Sequence, residues 1–380
     1  MQGLISGASR VKMKIRKLST GVAVAALVLG VPMYASAEDV LVEMVKAMTV
    51  EGYVEAQYNH NFNDPLDQLN AYRAFDYQAN TFTFNMAEVS MTKEAGDTPG
   101  FGLVLNYGLD TALTASVPTF STGEIDVQQA YVAQKLLGGT AELQFGKYAT
   151  LAGAEVIEGP ENFNISRSYL FFYTIPFTHT GLRVAFSTPV QGLSVTAGVN
   201  NGWDEVQDPN KGKTGELQFA FAPSDMLAAA LTGYYGPEST TAVDSDNRGV
   251  VDVVATIMPT SALTVVFNYD RGSQAAAGGP GTASALWQGY ALYLNVPVGE
   301  KNSVTLRGEV LDDADGYRTN VAGGQTLREL TLTGSSKMTD SLEWRLEVRH
   351  DESNKDVFQN DKGAAKDTQN TIAVAAYYTF

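Results

Sequence analysis

Residues 341–351 read SLEWRLEVRHD, and their side chains alternate between apolar and charged types. The apolar set is Leu342, Trp344, Leu346 and Val348, and the charged set is Glu343, Arg345, Glu347 and Arg349. A period of two residues is typical of a β-strand whose two faces meet different surroundings. A soluble β-sandwich and a membrane-spanning barrel both contain such strands, so this pattern by itself leaves both architectures open.

The connections between strands distinguish these two architectures. Sixteen alternating strands are predicted between residues 52 and 380, and the connections between them are short and long in turn. The short ones include 188–192, 223–225, 258–261, 297–301 and 335–340, and the long ones include 63–79, 201–213, 237–246, 271–285, 313–324 and 352–367. Outer-membrane barrels alternate tight periplasmic turns with longer external loops. The sequence therefore predicts an all-β fold, a transmembrane antiparallel up-and-down β-barrel of about 16 strands.

The second predicted strand, 80–93, departs from simple alternation. In a regular strand Phe82 and Phe84 would lie on one face, whereas Val89 and Met91 would lie on the opposite face. A β-bulge inserts one extra residue and so changes the parity of the residues that follow it. A bulge near Met86 is therefore predicted.

The N-terminal segment indicates export. Residues 10–17 carry five basic and no acidic side chains, and an apolar run at 21–31 and the sequence Ala35-Ser36-Ala37 follow. A membrane-spanning helix needs about 20 apolar residues, more than this run provides, so a signal peptide is favoured over a retained anchor. Residues 1–37 are predicted to be a signal peptide that is cleaved after Ala37. The barrel is expected at 51–380, after a short periplasmic helix at 38–50.

Composition and charge exclude several classes of protein. The chain has 26 Lys and Arg against 42 Asp and Glu, a net charge of −16, which becomes −21 when residues 1–37 are removed. Such an acidic protein lacks the basic surface that nucleic-acid binding needs. The absence of cysteine excludes disulfides and thiol chemistry. His60, His179 and His350 lack the spacing of a metal triad, so neither an enzyme, a metal site nor a cofactor is predicted.

The last strand has apolar side chains at alternate positions and a terminal aromatic residue, with Ile372, Val374, Ala376, Tyr378 and Phe380. In this it resembles bacterial outer-membrane proteins, whose last strand commonly ends in Phe and is recognised by the barrel-assembly machinery. The resemblance implies that Tyr378 and Phe380 form an assembly signal. It also implies a location in the bacterial outer membrane, with the assembly machinery and outer-membrane lipid as partners.

A set of short motifs across the mature chain resembles the OmpL-like beta-barrel porin family. These motifs are Gly146-Lys147-Tyr148, Gly153-Ala154-Glu155, Glu161-Asn162, Ser166-Arg167-Ser168-Tyr169, Ile175-Pro176-Phe177, His179-Thr180-Gly181, Asn200-Asn201-Gly202-Trp203-Asp204 and Arg345-x-Glu347-x-Arg349-His350-Asp351-Glu352-Ser353. The resemblance implies an outer-membrane channel, either monomeric or a homo-oligomer, without specifying its solute.

The longest connection, 150–178, follows the fifth strand. In general porins the loop at this place folds into the lumen, so 150–178 is a candidate constriction loop. The candidate constriction residues are Glu155, Glu158, Glu161, Arg183, Arg307, Arg345, Glu347 and Arg349. Carboxylates opposed to guanidinium groups across a narrow waist would filter solutes by size and charge. In the alternative, the loop lies outside and Arg345, Glu347 and Arg349 pair along the lumen wall.

The function predicted from these features is a porin for passive diffusion of small hydrophilic solutes or ions. A weak cation preference is expected, because the inward acids outnumber the inward arginines; control by arginines at the waist would reverse it. The acids are Glu55, Asp110, Asp126, Glu142, Asp252, Asp270, Glu309, Glu343 and Glu347. The alternative function is a plugged barrel that serves as an anchor or surface-interaction protein, with 38–48 as the candidate plug. A secreted soluble all-β protein is a third alternative.

Overall fold

The computed structural model describes residues 47–116, 125–238, 246–277 and 282–380. The predicted signal peptide and cleavage site, and the predicted helix up to residue 46, lie outside the described residues. The last two residues of the predicted helix, Thr49 and Val50, belong to the first strand instead. The barrel therefore begins two residues earlier than the predicted boundary at residue 51.

Sixteen of the described strands form a closed barrel, as the alternation predicted. They are β1 (Thr49–Asn61), β2 (Thr81–Lys93), β3 (Gly100–Tyr107), β4 (Ile125–Leu136), β5 (Ala141–Ala149), β6 (Thr178–Ser187), β7 (Leu193–Asn200), β8 (Thr214–Ser224), β9 (Leu227–Pro237), β10 (Asn247–Thr260), β11 (Leu263–Gln274), β12 (Ala285–Val298), β13 (Asn302–Asp313), β14 (Gln325–Lys337), β15 (Leu342–Ser353) and β18 (Thr368–Thr379). Two short strands, β16 (Phe358–Gln359) and β17 (Ala365–Lys366), form a hairpin between β15 and β18.

Every barrel strand pairs antiparallel with its neighbour along the chain, and β18 closes the barrel by pairing with β1. In that closing pair Tyr53 lies opposite Thr379 and Asn61 lies opposite Thr371. A closed barrel has no unpaired edge, so the backbone groups of its strands are satisfied within the sheet. The predicted up-and-down antiparallel topology is confirmed.

The two faces of β15 are exposed in the reverse of the soluble pattern. On β15 the apolar Trp344 and Leu346 are 44% and 56% exposed, whereas the charged Arg345 and Glu347 are 3% and 2% exposed. A soluble sandwich buries its apolar face and exposes its charged face, whereas a membrane barrel presents an apolar outer band to lipid. The exposure of apolar side chains therefore excludes the soluble all-β alternative.

The predicted irregularity in the second strand is confirmed. Glu55 on β1 pairs with Met86 on β2, and the next residue, Ala56, pairs with Phe84. Asn85 is therefore the extra residue of a β-bulge. Its side chain lies inside the barrel and donates a hydrogen bond to the Phe75 carbonyl at 2.8 Å.

The described helices are short. They comprise α1 (Thr111–Thr114), α2 (Tyr169–Tyr173) and single 3₁₀ turns at Leu137–Gly139 and Gly159–Glu161. Among the described residues, no helix is both long enough and apolar enough to cross a membrane. We call the end of the barrel at which β1 begins and β18 finishes the short-turn end, and the opposite end the long-loop end.

Candidate functional site

The connection between β5 and β6 lies inside the barrel. We call residues 150–177 the second inward loop. The Leu151 backbone N–H donates to the Tyr234 hydroxyl on β9 at 2.9 Å, and the Asn164 side chain donates to Thr333 on β14 at 2.7 Å. Because β9 and β14 lie on different parts of the wall, the loop extends across the lumen.

Two carboxylates of the wall hold consecutive backbone N–H groups of the second inward loop. Glu347 on β15 accepts hydrogen bonds from the N–H groups of Ile165 and Ser166 at 2.7 and 3.0 Å. Glu309 on β13 accepts in the same way from Tyr169 and Leu170 at 2.8 and 2.6 Å, at the start of α2. These four bonds fix the middle of the loop against one side of the wall.

Three arginines of the same wall bind carbonyl groups of the loop. Arg307 donates to the Ser166 carbonyl at 2.7 Å, and Arg349 donates to the Arg167 carbonyl at 2.7 Å. Arg345 donates to the carbonyls of Gly159 and Pro160, both at 3.0 Å. The loop backbone is therefore bound through both its donors and its acceptors.

The arginines are also paired with carboxylates, as buried charges must be. Arg307 lies 2.8 Å from Glu155 of the loop and 2.8 Å from Glu329 of β14. Arg349 lies 2.7 Å from Asp351 on its own strand. Glu155 also accepts a hydrogen bond from the Ser168 hydroxyl at 2.6 Å, which links the two halves of the loop.

The structure places the eight candidate constriction residues in three groups. Five of them, Glu155, Arg307, Arg345, Glu347 and Arg349, form one contiguous anchor for the loop. The pair Glu155 and Arg307 is in direct contact and does not face across open space.

The remaining three candidates lie apart from this anchor. Glu158 and Glu161 line a cavity at the short-turn end, where Gln128 donates to Glu158 at 2.6 Å. Arg183 lies on β6, with its guanidinium 3.9 Å from the centre of the Tyr148 ring and 3.6 Å from Glu216.

A further loop inside the barrel was not predicted. We call residues 62–80, between β1 and β2, the first inward loop; the sequence had suggested an ordinary external loop at 63–79. Its Arg73 lies 2.6 Å from Asp351 on β15, and both side chains are buried. Its Phe75 packs against Phe171 of the second inward loop at 5.8 Å between ring centres. The apolar and aromatic residues of 71–75, Ala71, Tyr72, Ala74 and Phe75, are the local signal that could have indicated burial.

Aromatic and basic side chains form a cluster near the long-loop end, which the sequence also did not reveal. The Trp287 and Tyr317 rings stack at 6.0 Å, and Trp203 packs edge-on against Trp287 at 6.4 Å. The Arg318 guanidinium lies 5.3 Å from the centre of the Trp287 ring, and Arg248 lies 4.8 Å from that of Trp203. These contacts of a guanidinium with a tryptophan ring are cation–π interactions. Burial, followed by the nearby charge of Arg248, lowers the pKa of Arg318 to about 10.

The loop after β7 carries acidic groups beside this cluster. Burial, followed by the charges of Glu238 and Asp204, raises the pKa of Glu205 to about 7. Within the ranges that the structure describes, no group of three or more His, Cys, Asp or Glu side chains could hold a metal ion.

Comparisons with known proteins agree with this architecture. Residues 47–380 match the family described as "Putative beta-barrel porin-2, OmpL-like". No curated protein matches the sequence.

Three solved structures illustrate the likeness of the fold. The anion-selective porin from Comamonas acidovorans has a TM-score of 0.61 at 12% identity, covering 88% of this chain and 99% of the porin. OprB of Pseudomonas putida has a TM-score of 0.58 at 11% identity, covering 90% of this chain and 97% of OprB. The outer-membrane channel DcaP of Acinetobacter baumannii has a TM-score of 0.57 at 10% identity, covering 88% of this chain and 97% of DcaP.

Proposed function

Because the chain belongs to the OmpL-like beta-barrel porin family, we propose that it forms a water-filled channel in the bacterial outer membrane. Small hydrophilic solutes or ions diffuse through it passively. The channel is narrowed by the second inward loop, which is held to the wall by the anchor of Glu155, Arg307, Arg345, Glu347 and Arg349. In this proposal the anchor residues position the loop, and the loop sets the width of the path.

The observation that carries the proposal is the charged inner wall. Arg307, Glu309 and Arg349 project from the wall into the interior of the barrel, where each binds a group of the second inward loop. Barrels that only need a stable interior can fill it with apolar side chains, whereas channels keep a polar lumen. The charged wall therefore favours a path for water and polar solutes.

We propose a weak preference for cations. The cavity at the short-turn end is lined by six carboxylates and by one lysine, Lys337. A solute that passes this end meets an excess of negative charge, which raises the local concentration of cations. The arginines of the anchor are engaged with carboxylates and loop carbonyls, so their charge is largely compensated.

A second candidate function is supported by the packing of the two inward loops. Phe177 of the second loop lies 6.5 Å from Phe75 and 5.0 Å from Phe171, measured between ring centres. Apolar contact between the loops favours a closed lumen. In that case the barrel serves as an anchor or surface-interaction protein that acts through its external loops.

Single-channel recording distinguishes these candidates. The protein is purified from outer membranes and added to a planar bilayer under a KCl gradient. We expect stable conductance steps and a reversal potential that favours K⁺. Folded protein, recognised by its heat-modifiable gel mobility, that gives no steps would refute the channel and favour the plugged barrel. Steps with a reversal potential that favours Cl⁻ would refute the cation preference alone.

A further inference from the structure

From the outer face of the barrel we infer a binding site for the lipid A part of lipopolysaccharide. The site is a groove of about 680 Å³ that lies on strands β8 to β11, close to the long-loop end. Small-molecule sites typically have volumes of about 300–1,000 Å³. The inference goes beyond the proposed function. It rests on the proposed location in the bacterial outer membrane and does not depend on ion conduction.

The first argument is an outward-facing arginine without a counter-ion. Asp270 on β11 is buried on the lumen side, so the next residue, Arg271, faces outward, and its side chain is exposed. Arg271 forms neither an ion pair nor a side-chain hydrogen bond with any described residue. By contrast Arg328, which faces outward on β14, lies 3.5 Å from Glu352. A charged side chain on the membrane face of a protein is expected to have a partner. The charge of Arg271 is therefore available to an anion outside the chain.

The position of Arg271 along its strand indicates which anion this is. β11 ends with Gln274 at the long-loop end, three residues after Arg271. Charged side chains are costly on the lipid face near the bilayer centre and are tolerated close to the interfaces. Arg271 is therefore expected at the level of the lipid headgroups, where phosphate groups are abundant. A guanidinium binds a phosphate through two parallel N–H···O bonds, which makes arginine well suited to this contact.

The shape of the groove beside Arg271 suits an acyl chain. Gly233 on β9 lies between Leu217 on β8 and Val251 on β10, whose side chains are exposed on the same outer face. A Cβ atom on Gly233 would lie 3.8 Å from its nearest neighbour, the Val250 carbonyl oxygen, so the packing of the chain leaves this space unfilled. Glycine weakens the interior of a strand and often marks the close approach of a ligand. An acyl chain can therefore lie against the backbone here, between apolar walls.

The charges around the groove fit an anionic lipid. Among the described residues that line it, Glu216 and Arg271 carry a charge. The Glu216 carboxylate lies on the lumen side, where it accepts a hydrogen bond from Asn200 at 3.0 Å. Asp315 lies beside the groove, where it accepts a hydrogen bond from the Leu286 backbone N–H at 2.8 Å. The outer face of the groove itself therefore carries the positive charge of Arg271.

The end of the barrel selects the lipid. In outer-membrane barrels the longer loops face the outside of the cell, so a groove near the long-loop end lies in the outer leaflet. Lipopolysaccharide is the characteristic lipid of that leaflet in bacterial outer membranes. Its lipid A part joins phosphate groups to several acyl chains. One phosphate can therefore bind Arg271 while an acyl chain occupies the groove over Gly233.

Native mass spectrometry of the full-length protein in detergent tests the inference. Bisphosphorylated lipid A is added in increasing amounts, and the fraction of barrels that carry it gives an apparent Kd. We expect Arg271→Gln to weaken binding about tenfold. The matched control is Arg328→Gln, which removes the same charge from an outward position on β14 and should weaken binding less than about twofold. Unchanged binding by Arg271→Gln, or equal weakening by both variants, would overturn the inference.

The groove and the phosphate are tested separately. Gly233→Leu fills the groove without changing the charge, and we expect it to weaken binding about fivefold, whereas Gly334→Leu, at an open outward position on β14, should not. Equal binding by Gly233→Leu and Gly334→Leu would overturn the role of the groove. Dephosphorylated lipid A should bind weakly to all variants, and equal affinity for it would overturn the role of the phosphate.

Two controls separate the lipid from its alternatives and from the channel. Phosphatidylglycerol also carries a phosphate, and we expect it to compete poorly with lipid A; full competition at equal concentration would overturn the assignment to lipopolysaccharide. Arg271 is exposed and faces away from the lumen, so Arg271→Gln should fold normally, as judged by heat-modifiable mobility. Conductance in KCl tests the proposed channel independently, because lipid binding is measured without ion flow.

Discussion

The Arg307 guanidinium on β13 lies 2.8 Å from the Glu155 carboxylate of the second inward loop, and both side chains are buried. The same guanidinium binds Glu329 on the neighbouring strand and the Ser166 carbonyl. One wall residue thus joins two positions of the loop, 155 and 166, to the barrel. The position of the loop therefore depends on charged groups of the wall as well as on apolar packing.

The first prediction concerns the stability of this anchor. Arg307→Gln leaves Glu155 and Glu329 without their guanidinium partner inside the barrel, and removing one member of a buried ion pair costs about 3–5 kcal/mol. We expect the free energy of unfolding to fall by about that amount in urea titrations of the protein in detergent. The control is Arg328→Gln, which removes a half-exposed pair with Glu352 at 3.5 Å and should cost less than about 1 kcal/mol. Equal losses in the two variants would contradict the prediction.

The second prediction concerns the width of the lumen. Glu347→Gln places an amide N–H₂ group where the N–H groups of Ile165 and Ser166 now find a carboxylate. Loss of two charge-assisted hydrogen bonds should release the middle of the second inward loop. We expect larger single-channel conductance or frequent transitions between levels. Glu352→Gln, which changes the same residue type on the same strand but at an exposed position, should leave the recordings as in the wild type. Unaltered recordings from Glu347→Gln would show that this carboxylate does not hold the loop.

Features that depend on neighbouring residues in the chain could be predicted from the sequence. The alternation along 341–351 assigned Arg345, Glu347 and Arg349 to the lumen face, where all three are buried. The change of parity between Phe84 and Val89 predicted a bulge near Met86, and the structure places the extra residue at Asn85. In both cases a strand with a period of two carries the information locally.

Features that depend on distant partners could not be predicted in this way. The first inward loop is rich in Asn and Asp, as external loops are, and Arg73 becomes a lumen residue only through Asp351, far along the chain. In the same way, the contact between Glu155 and Arg307 joins residues from different strands and loops. The alternation of a strand specifies the direction of a side chain, and it does not specify which distant side chain meets it.

The third prediction tests the aromatic cluster at the long-loop end. A Cβ atom on Gly272 would lie 2.2 Å from a Trp287 ring carbon, because the ring of Trp287 lies flat over the glycine directly opposite it. We expect Gly272→Ala to displace Trp287 from its stack with Tyr317 and to reduce stability by about 1–3 kcal/mol. Tryptophan fluorescence and urea unfolding measure both effects. Gly334→Ala is the control, since nothing lies within 4 Å of its new Cβ, and it should be neutral or slightly stabilising.

The fourth prediction concerns the C-terminal residue as an assembly signal. The Phe380 backbone N–H donates to the Gly52 carbonyl at 3.0 Å, and its side chain is 56% exposed. Phe380→Ser keeps this backbone pairing, so we expect stability to change by less than about 0.5 kcal/mol, as at other exposed positions. The amount of folded protein in the outer membrane should nevertheless fall, as judged by heat-modifiable mobility. Phe221→Ser, at another outward aromatic position, should not reduce this amount. Equal amounts for both variants would contradict a role of Phe380 in assembly.

The fifth prediction follows from the raised pKa of Glu205, which lies in the loop between β7 and β8. Burial and the charges of Glu238 and Asp204 raise its pKa from 4.5 to about 7. Between these values the folded protein binds more protons than the unfolded chain, so this group's contribution to stability is complete below pH 4.5 and is lost as the pH rises to about 7. We therefore expect Glu205→Gln to raise the melting temperature relative to the wild type at about pH 8 and not at about pH 4. A shift of equal size at both pH values would indicate that the substitution acts through packing and not through the proton on Glu205.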